Sequence, residues 1–120
     1  MAKKILIVDD ELDTLKVLEN RFKKEGYDVI TAADGMSCIT QAKKEKPDLI
    51  LLDIVLPDIS GFEACRVIKS DKATQDIKVI VCTNKLDAID ATEARKSKAD
   101  EFIEKLSDSA LLLETVKKFI

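Results

Sequence analysis

The segment Leu49-Ile50-Leu51-Leu52-Asp53 decides the fold, because it is an unbroken apolar run that stops at a carboxylate. Pro47, two residues before the run, breaks the chain after the charged residues 43–46. A strand whose successive side chains are all apolar is buried on both faces, which is typical of a parallel sheet covered by helices on each side. The segment therefore predicts a central strand of an α/β protein.

Further segments on both sides of this strand alternate between strand and helix patterns. The predicted strands are Lys4–Val8, Tyr27–Ala32, Leu49–Leu52, Ile77–Cys82 and Glu101–Ile103. Gly26 supplies a stop for the first helix, and Asp34 is a candidate N-cap for the second. Five alternations predict a parallel, doubly wound α/β sheet with right-handed crossovers.

Apolar residues at helical spacing identify the five helices and the faces that pack inward. The inward face of the first helix consists of Leu12, Leu15, Leu18 and Phe22, and that of the second, Gly35 to Glu45, of Cys38, Ile39 and Ala42. The third helix begins near Gly61 and has Phe62, Cys65 and Ile68 on this face, and the fourth has Leu86, Ile89 and Ala94. The last helix begins near an Asp108 cap and buries Leu112, Val116 and Phe119 or Ile120.

Composition excludes several classes of function. The 120 residues contain no histidine, which removes Ser-His-Asp and Cys-His catalysis and histidine-ligated zinc or haem. Tryptophan is absent, aromatic residues are 4% and the net charge is -3, so we expect no direct nucleic-acid binding. No apolar run approaches the ~18 residues of a membrane span, so we expect no membrane insertion.

The three cysteines indicate a reducing compartment. Cys38, Cys65 and Cys82 are odd in number and lack CxxC spacing, so they are interpreted as reduced thiols that fill the core of a cytoplasmic protein.

Polar residues gather where the predicted strands end. Asp9 and Asp10 follow the first strand, Asp53 the third and Thr83 the fourth, and Lys105 lies near the end of the fifth. In a doubly wound sheet these ends form the ligand site. Crowded carboxylates need a cation, and oxygen ligands with open positions suit Mg²⁺. Asp53 could then act as a nucleophile that forms an aspartyl phosphate.

The ordered set of these motifs resembles the receiver domains of bacterial two-component response regulators. The resemblance covers essentially the whole chain. It is carried by Ile5-Leu-Ile-Val-Asp-Asp-Glu11, Ala33-Asp-Gly35, Lys46-Pro-Asp-Leu-Ile-Leu-Leu-Asp53, Leu56-Pro57, Gly61-Phe62, Thr83, Ala99-Asp100, Phe102 and Lys105. It implies a flavodoxin-like fold with strand order 2-1-3-4-5, and a single receiver domain over residues 1–120 without an output domain.

The resemblance also implies roles for single residues. Asp53 matches the phosphoacceptor, Asp10 a direct Mg²⁺ ligand and Asp9 a ligand that acts through water. The backbone carbonyl of Val55 matches a further metal ligand, and Lys105 the family's lysine at the phosphoryl group. The switch hydroxyl and the switch aromatic correspond to Thr83 and Phe102.

The partners follow from the same resemblance. A histidine kinase or phosphotransfer protein would donate the phosphoryl group to Asp53, and a downstream protein would bind the Leu86–Ile120 face. The domain would not be an enzyme in the usual sense, since it would catalyse only its own phosphorylation and dephosphorylation. We expect a monomer or a weak homodimer.

Three positions depart from the family pattern, and two more are positions at which the family varies. Leu106 stands where the family has proline after the lysine, and we expect a trans Lys105-Leu106 bond because a non-proline cis bond costs ~2.5–4 kcal/mol. Asn84 follows the switch hydroxyl in place of a small residue, and Lys98 replaces a common glycine. Val55 and Lys85 occupy positions that tune dephosphorylation.

Three alternatives stay open. A haloacid-dehalogenase-like phosphatase would need a second aspartate two residues after Asp53, where this chain has Val55. A flavodoxin-like electron carrier would need a loop rich in Ser, Thr and Gly after the first strand, where Asp9-Asp10-Glu11 would repel flavin phosphate. The third is a receiver-fold interaction module that is never phosphorylated, and the presence of Asp53, Thr83 and Lys105 argues against it.

Overall fold

The computed structural model describes residues 2–83, 89–104 and 109–120. Strands and helices alternate along them. The strands are β1 (Lys4–Val8), β2 (Asp28–Ala32), β3 (Leu49–Asp53), β4 (Lys78–Thr83) and β5 (Glu101–Glu104). The helices are α1 (Leu12–Lys24), α2 (Gly35–Glu45), α3 (Gly61–Ser70), α4 (Ala91–Ser97) and α5 (Ser109–Phe119).

The five strands form one parallel sheet in the order β2-β1-β3-β4-β5. This confirms the predicted doubly wound fold and its strand order. All five residues of β3 are buried, as its apolar run predicts. β1 and β3 are neighbours, and the chain continues from β1 to β2 on one side of this pair and from β3 to β4 on the other. The topological switch point therefore lies between β1 and β3, beside Asp9 and Asp53.

Two apolar layers cover the sheet. On one face α2, α3 and α4 pack against Leu6, Ile50 and Val81 of the central strands. On the other, α1 and α5 pack against Ile7 and Leu51. Both faces are therefore shielded from water at the centre of the sheet, which explains why β1, β3 and β4 carry continuous apolar runs, whereas the edge strands β2 and β5 do not.

Local signals start and end the helices as predicted in two cases. Asp34 caps α2 by accepting a hydrogen bond from the Ser37 N–H at 2.7 Å. Gly26, with φ +93°, ends α1 in a conformation that favours glycine. The helix α2 has the predicted bounds, and Cys38 and Ala42 are fully buried on it.

The fourth helix differs from its prediction. It begins at Ala91, because the Asp90 carboxylate accepts hydrogen bonds from the N–H groups of Thr92 and Glu93 and so caps it. Ile89 precedes the helix and packs against the core from outside it. Leu86 lies outside the described residues, as does the Asp108 cap that the sequence predicts for α5.

The first helix also differs at its start. Leu12 is 66% exposed, whereas Leu15 and Phe22 on the same predicted face are buried. Leu12 is the first residue of α1, and helical side chains tilt toward the N-terminus, so this one extends past the sheet. No helix within the described residues is long and apolar enough to cross a membrane.

Candidate functional site

The candidate site lies at the carboxyl ends of β1, β3 and β4. The register pairs Val8 with Leu52, and Asp53 with Cys82. Asp9 and Asp10 come directly after β1, Asp53 is the last residue of β3, and Thr83 is the last residue of β4. The parallel sheet thus brings together at one edge four of the side chains that the sequence singles out.

The three aspartates form a compact acidic cluster. One carboxylate oxygen from each of Asp9, Asp10 and Asp53 lies within 4.8 Å of the others. Asp9 and Asp53 are 3% and 7% exposed, whereas Asp10 is exposed. Three like charges at this separation, two of them buried, repel one another unless a cation neutralises them.

The donor set fits Mg²⁺. This ion takes oxygen ligands at about 2.1 Å, so two ligands of one ion lie at most about 4.2 Å apart. A cluster within 4.8 Å reaches that separation through small side-chain rotations or a bridging water. The exposure of Asp10 leaves one side of the cluster open, which suits an ion that keeps several waters.

Backbone N–H groups orient two of the carboxylates. Asp9 accepts a hydrogen bond from the Glu11 N–H at 2.9 Å, and Asp53 accepts a longer one from the Val55 N–H at 3.4 Å. Both contacts use a donor two residues further along, so each aspartate organises the loop that follows its own strand.

Gly61 at the start of α3 holds the loop after β3 against the site. Its N–H donates to the Ile54 carbonyl at 2.7 Å. A Cβ at Gly61 would overlap the carbonyl oxygen of Asp53, so only glycine allows this approach. The glycine of the Gly61-Phe62 motif is therefore required by its close contact with the backbone of Asp53, a residue of the site.

Thr83 and Phe102 lie on neighbouring strands on the same face of the sheet. Val81 is paired with Phe102, and Thr83 with Glu104, so alternation places Thr83 and Phe102 on the face that α3 and α4 cover. Both are half-buried. The Phe102 ring lies 6.4 Å from that of Phe62, centroid to centroid.

Part of the predicted site lies outside the described residues. Lys105 belongs to that part, and so do Leu106, with its predicted trans bond, Asn84 and the tuning position Lys85.

Two of the cysteines are core residues, as predicted. Cys38 and Cys65 are fully buried and free. Burial raises the pKa of each thiol to about 12, so both stay protonated and unreactive at neutral pH. Cys82 is in no disulfide and is only half-buried.

Asp58 is the residue near the site that sequence reasoning missed. Its carboxylate accepts hydrogen bonds at 2.8 Å from the N–H groups of both Gly35 and Met36, the first two residues of α2. A signal was present, because a glycine directly after the Asp34 cap indicates a close approach by some other segment. Nothing in the sequence identified that segment.

The comparisons with known proteins agree on one family. The sequence profile described as the response regulator receiver domain matches residues 5–117. The alkaline phosphatase synthesis transcriptional regulatory protein PhoP of Bacillus subtilis is 38% identical over 105 residues, which are 88% of this chain and 43% of PhoP. This chain spans less than half the length of the curated relatives that it matches.

Solved structures agree with the sequence comparison. Response regulator protein TrrA from Thermotoga maritima, solved in complex with Mg(2+)-BeF, has a TM-score of 0.89 and 33% identity, covering 98% of this chain and 99% of its own. The chemotaxis protein CheY4 of Vibrio cholerae has a TM-score of 0.93 and 24% identity over 100% of both chains, a likeness in fold.

Proposed function

The chain belongs to the response regulator receiver domain family, and on that premise we propose that Asp53 is its phosphoacceptor and that Asp9 and Asp10 hold the Mg²⁺. Receiver domains are signalling domains of two-component systems that are phosphorylated on an aspartate with Mg²⁺. The acidic cluster at the strand ends is the observation that carries the assignment of residues.

Asp53 is the best nucleophile of the three aspartates because of where it lies. It ends the central strand, is 7% exposed, and belongs to a rigid element rather than to a loop. In the proposed transfer a carboxylate oxygen of Asp53 forms a bond to phosphorus. The bond from phosphorus to the donor nitrogen of a phosphohistidine breaks, and its electron pair returns to the imidazole.

Three further groups would stabilise the charge on the phosphoryl oxygens. When bound, Mg²⁺ supplies electrostatic stabilisation of these oxygens, held by Asp9, Asp10, Asp53 and the Val55 carbonyl. We assign the second positive charge to Lys105 and a hydroxyl donor to Thr83. The same groups would serve the later hydrolysis, which returns the domain to its resting state.

The signal would leave the site through the β4–β5 side of the sheet. The phosphoryl group on Asp53 would draw the Thr83 hydroxyl toward it, and Phe102, on the same face, would move into the vacated space. A downstream protein would then bind the surface within residues 86–120. Phosphorylation shifts this equilibrium only by its different affinity for the two conformations.

The cellular setting completes the proposal. Receiver domains receive their phosphoryl group from histidine kinases or phosphotransfer proteins, and we assign such a donor to this chain in the cytoplasm. We further propose that residues 1–120 act as a single receiver unit, monomeric or weakly dimeric, without direct contact to nucleic acid or membrane.

Intact-protein mass spectrometry tests the function. After incubation with Mg²⁺ and acetyl phosphate we expect a gain of one phosphoryl group, which EDTA prevents. The variant Asp53→Asn should gain none. Asp76→Asn, which removes an exposed carboxylate at the other end of β4, is the matched control and should gain one like the wild type. Equal gains in the Asp53 and Asp76 variants would refute the proposal.

The metal assignment has its own test in thermal unfolding. Millimolar Mg²⁺ should raise the melting temperature of the wild type, because the ion binds the folded cluster and relieves its repulsion. Asp10→Asn should abolish most of that rise. Asp13→Asn, an equal loss of charge in the first turn of α1, should preserve it. A full Mg²⁺ response in Asp10→Asn would contradict Asp10 as a direct ligand.

A further inference from the structure

The β3–α3 loop, residues 54–60, is attached to the body of the protein at two places. At its base, the Gly61 N–H donates to the Ile54 carbonyl at 2.7 Å, and the Ile54 N–H donates to the Cys82 carbonyl at 3.2 Å. At its tip, Asp58 accepts the N–H groups of Gly35 and Met36, each at 2.8 Å. Val55, whose carbonyl is the proposed metal ligand, lies between these two attachments.

The tip attachment is a close, shaped contact. A Cβ on Gly35 would overlap the Ile59 side chain and would lie 3.2 Å from Oδ1 of Asp58. Gly35 is therefore needed because a side chain there would block the approach of the loop. Its backbone conformation does not require glycine, since its φ is not in the left-handed region. Asp58 and Gly35 form one contact between two elements that are 23 residues apart in the sequence.

The contact is also electrostatically favourable. Asp34 caps the Ser37 N–H while Asp58 takes the two N–H groups before it, so two carboxylates share the first turn of α2. Loss of hydration raises the pKa of Asp58, but the N–H groups of Met36 and Gly35 outweigh this effect and hold that pKa below its ordinary value. The carboxylate therefore stays charged throughout the physiological range.

Between its two attachments the loop is held by a long hydrogen bond from the Val55 N–H to Asp53, at 3.4 Å, and by side-chain packing. Pro57 has no N–H to donate, and the Val55 side chain is 70% exposed. Leu56 and Ile59 are partly buried against the core. The direction of the Val55 carbonyl is thus determined by a short span of backbone whose distal end Asp58 holds in place.

We propose that Asp58 is a positioning residue for the metal site, holding the β3–α3 loop against α2 so that the Val55 carbonyl is directed at the Mg²⁺ position. The inference rests on the proposed function, because it takes that carbonyl as a ligand. Groups that orient metal ligands typically contribute about 10- to 100-fold to affinity. Linkage requires the converse as well, so bound Mg²⁺ must strengthen the contact between Asp58 and α2.

Calorimetric titration with Mg²⁺ measures the first effect. We expect the dissociation constant to rise about tenfold in Asp58→Ala. We expect a smaller rise in Asp58→Asn, which keeps one acceptor oxygen, and a rise in Gly35→Ala, which displaces Ile59. The matched control is Asp71→Ala. Asp71 is another carboxylate that accepts a backbone N–H, from Ala73 at 2.9 Å, but at the far end of α3.

Hydrogen exchange measures the reciprocal effect, which a purely structural role would not produce. Mg²⁺ should slow exchange of the Gly35 and Met36 amides in the wild type and leave that of the Ala73 amide unchanged. Thermal unfolding of each variant without Mg²⁺ shows that the comparison is between folded proteins, and Asp58→Asn serves if Asp58→Ala does not fold.

The outcomes separate the two proposals. A wild type that binds no Mg²⁺ and gains no phosphoryl group refutes the proposed function. A wild type that binds Mg²⁺ as expected, with Asp58→Ala and Asp58→Asn binding it equally well, refutes only the positioning role. Unchanged exchange of the Gly35 and Met36 amides on Mg²⁺ binding also refutes it.

Discussion

Gly61 shows how one missing side chain shapes the acidic site. Its Cα lies so close to the end of β3 that a methyl group would overlap backbone atoms of Asp53 and Ile54. The Asp53 backbone belongs to the central strand and cannot yield cheaply, because Leu52 and Leu51 beside it are close-packed.

We predict that Gly61→Ala lowers both stability and Mg²⁺ affinity. Overpacking of this kind costs typically ~1–3 kcal/mol, which denaturant unfolding measures. Gly26→Ala is the matched control. It has open space around its Cα and is strained only by its φ of +93°, so it should lower stability without changing Mg²⁺ affinity. Gly61→Ala with wild-type Mg²⁺ affinity would contradict this account.

At the scale of elements, a largely buried ion pair joins the end of α3 to the strands beside it. Lys69 Nζ donates to Asp100 at 2.7 Å and to the Ile77 carbonyl at 2.8 Å, and Asp100 also accepts the Val79 N–H at 2.8 Å. The two side chains are 11% and 22% exposed. The Ala99-Asp100 motif thus connects α3, the start of β4 and the segment before β5.

Removing one partner of this pair should destabilise the protein strongly. Asp100→Ala leaves the Lys69 ammonium without its charged partner and the Val79 N–H without its acceptor, and we expect a loss of about 2–4 kcal/mol. Glu19→Ala, which breaks the more exposed pair with Lys23 on α1, should cost less than about 1 kcal/mol. Denaturant unfolding measures the free energy of unfolding of both variants. Equal losses would show that burial does not make the Lys69–Asp100 pair more stabilising than an exposed pair.

The backbone is strained at the end of α4. Lys98 has φ 59° and ψ 27°, the left-handed conformation that suits glycine. A side chain there costs roughly 1–2 kcal/mol, partly offset because glycine is more flexible in the unfolded chain.

We predict that Lys98→Gly raises stability by about 0.5–1 kcal/mol, seen as a rise of a few degrees in melting temperature. Lys96→Gly, two residues earlier in the helix, should lower stability by about 1 kcal/mol, because glycine is a poor helix former. A lower melting temperature for Lys98→Gly would mean that the lysine side chain contributes more than its backbone strain costs.

At the scale of the whole molecule, the sequence predicts the fold well because one physical rule dominates it. Strands buried on both faces must be continuous apolar runs, and Leu49–Leu52 and Ile5–Val8 are such runs. Parallel pairing then places Asp9, Asp53 and Thr83 at one edge, so three-dimensional proximity follows from strand ends alone.

Two features that the sequence predicts poorly are local. The start of α4 at Ala91 follows from an Asp90 cap that competes with apolar periodicity, and the exposure of Leu12 follows from its place as the first residue of α1. The Asp58 contact is different, because it joins the loop after β3 to the start of α2, and no local pattern connects these two segments. That contact is set by tertiary packing.

Asp53, and not another carboxylate of the cluster, is the residue that we propose accepts the phosphoryl group. Borohydride reduces an aspartyl phosphate to homoserine, which marks the position permanently. The wild-type protein would be incubated with Mg²⁺ and acetyl phosphate, reduced, digested and sequenced by tandem mass spectrometry. We predict homoserine at position 53 alone, and none when EDTA is present; homoserine at position 9 or 10, or its absence from position 53 in the presence of Mg²⁺, would contradict the account.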